Sequence, residues 1–202
     1  MAKKVLFSTA YLPPVGYFFP INDDVEIHIE KEENFIKQTY RNRCYILSSH
    51  GLQLLTVPVY EGSIHKVTIR DVRIDYSKRW QQVHLRAMIA SYNASPYFRF
   101  YFEQIEKIIS ENHVFLIDLN TSLTELILTI LGIENKICFT TCFEKPGSTD
   151  DDFRYSISPK KESPFKIKRY PQVFESVPAN QEYLSIADLI FNAGPDSVKY
   201  LR

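Results

Sequence analysis

The sequence predicts an α/β domain, or an α+β domain with a mixed sheet. The expected form is one three-layer-like domain with a mostly parallel or mixed central sheet and a long helical segment. Three observations carry this. Short apolar runs of strand length open the chain, a helical period persists from Lys78 to Asn112, and a strand, helix, strand succession runs from Val114 to Thr141. With 202 residues the chain is of one-domain size, so residues 1–202 are expected to form a single domain.

Taken in order, Val5 to Ala10 reads as a buried strand stopped by Pro13 and Pro14, and Val15 to Ile21 as a helix candidate. Val25, Ile27 and Ile29 alternate with Glu26, His28 and Glu30, the pattern of a half-buried strand. Leu52 to Val59 and Lys66 to Ile74 read as two further strands, with Gly62 in the polar segment between them. In the long helical stretch Leu85, Met88, Ile89, Phe98, Phe102, Ile105 and Ile109 recur at helical steps, and Pro96 predicts a break near Ser95. Val114 to Leu119 reads as a strand, Leu123 to Leu131 as a helix capped by Asn120, Thr121 or Ser122 and stopped at Gly132, and Lys136 to Thr141 as a strand parallel to the first. Residues 144–182 are polar and rich in proline, without a period, and serve as a covering loop or a mobile one. Ser185 to Asn192 is an amphipathic helix ended by Gly194 and Pro195, with a further turn over Ser197 to Leu201.

Composition narrows the function. The apolar fraction of 45% and aromatic fraction of 14% exclude a disordered chain. Lys plus Arg and Asp plus Glu balance at 24 each, which leaves no net field for a phosphate backbone, so no nucleic-acid partner is expected. The apolar stretches 123–133 and 184–193 contain Glu125 and Asp188 and fall short of the roughly twenty residues a membrane span needs. No secretory leader is evident, and Cys44, Cys138 and Cys142 are odd in number without zinc spacing. A cytoplasmic location is expected, with all three thiols buried and structural. His28, His50, His65 and His113 are scattered, and no Gly-rich phosphate loop or nucleophile elbow occurs, so neither a metal nor a cofactor is expected.

Candidate site residues fall in four places. Gln38-Thr39-Tyr40-Arg41-Asn42-Arg43, preceded by Lys37, is the densest run of hydrogen-bonding side chains. Its arginines suit carboxylate or phosphate and Asn42 suits a hydroxyl, but a solvated or structurally paired edge segment has the same composition. The turn from Tyr11 to Tyr17 follows a strand where α/β folds collect ligands, or is aromatic packing under a proline-stiffened turn. His84, one turn from Trp80, is a general base or a satisfied core histidine. Asp118 and Asn120 lie at a predicted strand end, facing a ligand or capping the next helix.

Several of these pieces, with other stretches, form a collinear set. Ser8-Thr9-Ala10-Tyr11-Leu12-Pro13-Pro14 with Gly16-Tyr17-Phe18, then Tyr40-Arg41-Asn42-Arg43, Thr56-Val57-Pro58-Val59, the Trp80, His84, Tyr92 and Pro96 series, and Leu184 to Pro195 together resemble the WbqC-like protein family. The resemblance implies a place in bacterial O-antigen or surface-polysaccharide synthesis, with a suggested transfer of glycine or another small group to a sugar and no established catalytic motif. Where the family's pattern places a tryptophan before its Leu-Gly or Ile-Gly pair, this chain has Pro14-Val15-Gly16, so no binding role carries over onto Val15. The expected partner is a sugar or activated sugar, with a homo-oligomer or another polysaccharide-pathway protein as macromolecular partner. In a transferase, Arg41 and Arg43 would hold phosphate or carboxylate, Asn42 a hydroxyl, and His84 or Asp118 would take a proton, with Tyr11, Tyr17, Lys37, Tyr40 and Asn120 completing the substrate site. The alternative is a non-catalytic binding or scaffold subunit presenting an aromatic-rich surface.

Overall fold

The computed structural model describes residues 3–60, 67–147, 149, 151–177 and 179–202. Its central feature is a parallel sheet in the order β1 (Lys3–Ser8), β2 (Val25–Glu30), β5 (Ile137–Phe139). The register places Val5 beside Ile27, Phe7 beside Ile29 and Ser8 beside Glu30. All three strands therefore end on one side, and β1 and β2 finish in polar side chains. A second sheet is the antiparallel hairpin β3 (Arg43–Ser48) and β4 (Gly51–Thr56), turned tightly at Gly51, whose φ of 106° an L side chain rarely adopts.

Helix α1 (Trp80–Tyr92) buries Trp80, His84, Met88 and Tyr92, a stripe at four-residue steps that packs on β3. Helix α2 (Phe98–Ser110) follows after the break predicted at Ser95 and Pro96 and packs on α1, α3 (Leu116–Ile130) and α4 (Ile186–Ala193). The buried apolar cluster joins the sheet residues Val5, Phe7, Ile27 and Ile29 to Leu119, Leu123, Ile127, Leu189 and Phe191 of these helices. Each such side chain contributes roughly 2 kcal/mol relative to exposure. The molecule is α/β in content, with a parallel sheet and an antiparallel pair.

Local predictions are corrected in seven places. Val114 to Leu119 is not a strand: α3 already begins at Leu116, because Leu116, Leu119, Leu123 and Ile127 place one apolar face along a single helix. Asn120, Thr121 and Ser122 lie inside it rather than at its cap. The parallel partner of β5 is consequently β2. Ile69–Asp71 is a 3-10 turn where Lys66 to Ile74 predicted a strand, and Gly62, His65 and Lys66 lie outside the described residues. Val15–Phe18 is one 3-10 turn instead of a helix to Ile21. Cys44 is buried, but Cys138 and Cys142 are exposed, since β5 borders the sheet. Glu30, on the strand face read as solvated, is fully buried. Among the described residues no helix is long and apolar enough to cross a membrane.

Candidate functional site

The carboxyl ends of β1 and β2 meet a buried polar cluster assembled from four parts of the chain. After β1 the backbone turns through Leu12 at φ 41°, and after β2 through Gln38 at φ 60°. Both are left-handed conformations that bulky residues rarely adopt, and such strain concentrates at functional sites. The first turn brings Tyr17 back over the strand: its ring stacks on Phe7 at 4.3 Å and its hydroxyl donates to the Ser8 carbonyl at 3.0 Å. The second brings in Thr39, Tyr40 and Arg41, fastened by the Tyr11 amide donating to the Tyr40 carbonyl at 2.8 Å.

Arg41 is 3% exposed. Its Nε donates to Glu33 Oε1 at 2.9 Å and its Nη2 to Glu33 Oε2 at 2.6 Å, a forked pair. The same Nη2 donates to the Ser8 hydroxyl at 2.7 Å, and Nη1 to Thr39 Oγ1 at 3.2 Å. The second arginine, Arg154, arrives from the irregular segment. The Leu6 amide donates to the Asp151 carbonyl and the Phe153 amide to the Leu6 carbonyl, so residues 151–153 run along the free edge of β1. This lays Arg154 into the interior, where it forks onto Asp152 at 2.9 and 2.6 Å and donates to Glu30 at 3.2 Å and to the Glu144 carbonyl at 2.8 Å. Its guanidinium lies 5.6 Å from the Phe143 ring centre and 5.4 Å from that of Tyr155. Glu30 also accepts from the Thr140 hydroxyl at 2.6 Å and from the amides of Glu32 and Glu144.

Three acids thus face two arginines in a nearly dry interior. Desolvation raises the Glu33 pKa, opposed by Arg41 and by a hydrogen bond from Ser8. Burial also raises the pKa of Tyr17 and of Tyr40. Ser8, Thr9, Ala10, Tyr17, Tyr40 and Arg41, with Phe153, Arg154 and Ile157, line a cavity of about 10 Å3, room for about one water. A second cavity of the same size lies past Tyr40 and Ile157, beside Gly16 and Ser163.

The residues picked out by sequence divide accordingly. Tyr17, Tyr40 and Arg41 line the cavity together. Asn120 is 1% exposed and acts from behind, donating to Thr9 Oγ1 at 3.1 Å and the Arg41 carbonyl at 2.8 Å. Asn42 closes a reciprocal pair with Val57: its side chain donates to the Val57 carbonyl, and the Val57 amide donates to its own. Three buried polar atoms, Asn42 Oδ1, Arg43 Nε and Asn120 Oδ1, have no hydrogen-bond partner among the described residues, at about 1–3 kcal/mol apiece. Lys37 is exposed, and Arg43 opens β3 half-buried. Tyr11 points away from the cavity, its hydroxyl 2.9 Å from His84 Nδ1. Burial lowers the His84 pKa to about 4, against the smaller opposing effect of a hydrogen bond to the Thr56 backbone, so the ring is neutral near pH 7. Asp118 is exposed in the first turn of α3 rather than at a strand end. Neither His84 nor Asp118 lines the cavity.

Ser8, Glu30, Glu33, Asp152 and Arg154 were not singled out by sequence reasoning. A signal existed for Ser8, at a predicted strand end of an α/β fold. Asp152 and Arg154 lie in the polar, proline-rich stretch 144–182, which has no period, and nothing local marked either.

Comparison with known proteins agrees with the resemblance. The sequence profile of the WbqC-like protein family matches residues 9–163. The chain belongs to the WbqC-like protein family. Its matched span runs from Thr9, just after β1, to Ser163 beside Gly16, and so takes in Glu30, Glu33, Arg41 and Arg154. A relative described as uncharacterized protein Rv1507c of Mycobacterium tuberculosis is 28% identical over 229 aligned positions, covering 100% of this chain and 98% of its own. No solved structure matches the chain.

Proposed function

We propose that this WbqC-like protein is a transferase of bacterial surface-polysaccharide synthesis that moves a small acyl or aminoacyl group onto a sugar-linked acceptor at the carboxyl edge of β1 and β2. The observation that carries this reading is the Ser8, Glu33 and Arg41 cluster. Its charges are costly to bury, and apolar replacements would serve stability as well or better. It also sits where open α/β sheets bind ligands. Backbone strain at Leu12 and Gln38 and the unpartnered atoms of Asn42 and Asn120 flank the same place.

In this reading the acceptor's amine or hydroxyl attacks the acyl carbon and its proton passes to Glu33, suited to the task because burial raises its pKa. The new bond joins acyl carbon to acceptor nitrogen or oxygen, and the donor's leaving group departs with the electron pair of the bond that breaks. Arg41 fixes the carboxylate and Ser8 the approach to it. Phe153 to Ile157 must swing aside to admit substrate, because the cavity has room for about one water.

The test is thermal unfolding at low salt with nucleotide sugars and aminoacyl or acyl donors, for the native chain and for Ser8→Ala and Glu33→Gln. A ligand that raises Tm in the native chain and less in the variants supports the site. No shift with any compound removes it. A scaffold reading draws on Leu52 and Leu54, 45% and 43% exposed on β4. It wins if Leu52→Ser with Leu54→Ser abolishes surface polysaccharide in a complementation assay while Ser8→Ala and Glu33→Gln do not.

A further inference from the structure

Among the described residues, the longest strand edge left open is that of β4. The free edge of β1 is taken by residues 151–153, and that of β3 by the Ser185 amide, which donates to the Tyr45 carbonyl at 2.8 Å. Strand β4 pairs with β3 alone. Its residues Gly51 to Thr56 include no charge and no proline, residues that commonly keep an exposed edge from pairing.

In an antiparallel pair the backbone groups of alternate residues face the partner strand, and those between them face away. The Val57 amide donates to the Asn42 carbonyl at 2.8 Å, so Gln53 and Leu55, in step with Val57, point toward β3. The residues between them point outward. Pro58 and Tyr60 meet partners on that side, the Asp75 amide at 2.9 Å and the Arg73 carbonyl at 3.1 Å, and the Thr56 backbone bonds His84. The amides and carbonyls of Leu52 and Leu54 have no partner among the described residues. The side chains of the same two leucines stand exposed on one face of the strand. Free backbone groups and apolar side chains therefore coincide at two neighbouring outward positions.

We propose that this edge pairs with the β4 edge of a second copy of the chain, antiparallel about a two-fold axis at Gln53. In that register Leu52 lies opposite Leu54 of the second copy and Leu54 opposite its Leu52. Each free amide then finds a free carbonyl, and the leucines of both copies gather on one face. No charge on the strand opposes the approach. A foreign strand would have to supply the same spacing of free groups and apolar side chains, whereas a second copy supplies it by symmetry. The pairing uses none of the strand-end cluster and stands whether or not that cluster is catalytic.

Sedimentation equilibrium of the pure chain tests it, with circular dichroism to confirm that each variant folds. A dimer is expected across the micromolar range. Leu54→Lys should raise its dissociation constant about tenfold or more, since apolar contact is lost and like charge gained at both symmetric places. Mild oxidation reads the register, in a chain carrying Cys138→Ser and Cys142→Ser. Gln53 faces its own copy across the axis as a non-hydrogen-bonded pair, with about 4.5 Å between Cα atoms, which is within disulfide reach. Gln53→Cys should therefore cross-link two copies faster than Leu52→Cys, whose thiols face leucine side chains instead of each other. A monomer at every concentration would overturn the pairing and leave the leucines to a different protein. A dimer indifferent to Leu54→Lys, or one cross-linked through Leu52→Cys as fast as through Gln53→Cys, would overturn it as well.

Discussion

Arg41 and His84 show how burial gives two polar side chains different character. Arg41 is held on Glu33 by two short bonds, so removing either partner strands a charge. Arg41→Met is expected to cost about 3 kcal/mol or more in urea unfolding, while Arg41→Met with Glu33→Leu recovers most of that loss, as buried pairs replaced together do. Equal losses in single and double variants would mean that the pair is not the unit of stability. His84 titrates at about 4 in the folded chain against an ordinary 6.5. Its folded pKa is depressed, so the native state binds fewer protons in that window, and the stability present above about pH 6.5 is lost as pH falls toward 4. Between pH 7 and pH 5 this amounts to about 2 kcal/mol. The difference between stability at pH 7 and at pH 5 should therefore shrink by about that amount in His84→Gln, a comparison that cancels opposing effects of Glu33 and Asp188.

At the scale of elements, α4 and its ends are the most constrained. The Ser185 side chain accepts from the Ala187 amide and caps the helix, so Ser185→Ala should cost about 1 kcal/mol. At the other end Gly194 has φ 54°, and a Cβ there would lie 2.5 Å from the Tyr97 ring. Gly194→Ala combines backbone strain with a clash against Tyr97, the residue that precedes α2, and should cost about 2 kcal/mol or more. A Tm unchanged from native would show that Tyr97 moves freely. Helix α3 carries a different lesson. Val114 to Leu119 is apolar enough for a strand, and only continued burial of Leu123 and Ile127 on the same face makes Leu116 the start of a helix. Asp118 moves with that correction from a sheet edge to an exposed helix face.

For the whole molecule, the decisive contact is the one that lays residues 151–154 along β1 and sends Arg154 to Glu30 across 124 residues of sequence. Arg154→Ala should leave Glu30 buried with one donor fewer and free this segment, so that chymotrypsin cuts after Phe153 or Tyr155 faster than in the native chain. Unchanged cleavage would mean that the two backbone bonds to Leu6 hold the segment alone. Much was legible before any of this: the strands β1 and β2, the helix pair broken at Pro96, the last helix with its Gly194 stop, and the family. These rest on local period and turn chemistry, which neighbouring residues settle among themselves. Tyr17, Tyr40 and Arg41 were legible too, as dense polar or aromatic runs at strand ends. Glu30 was not, because alternation along β2 says only that it shares a face with Glu26 and His28. Whether that face meets water or Arg154 depends on a distant segment without any period of its own. Sequence by itself determined β1, β2, the helices on either side of Pro96, the last helix and three residues that line the candidate cavity. Tertiary structure alone decided which charges are buried together, since pairing across the sheet edge is set by where the irregular chain lies and not by what flanks each residue.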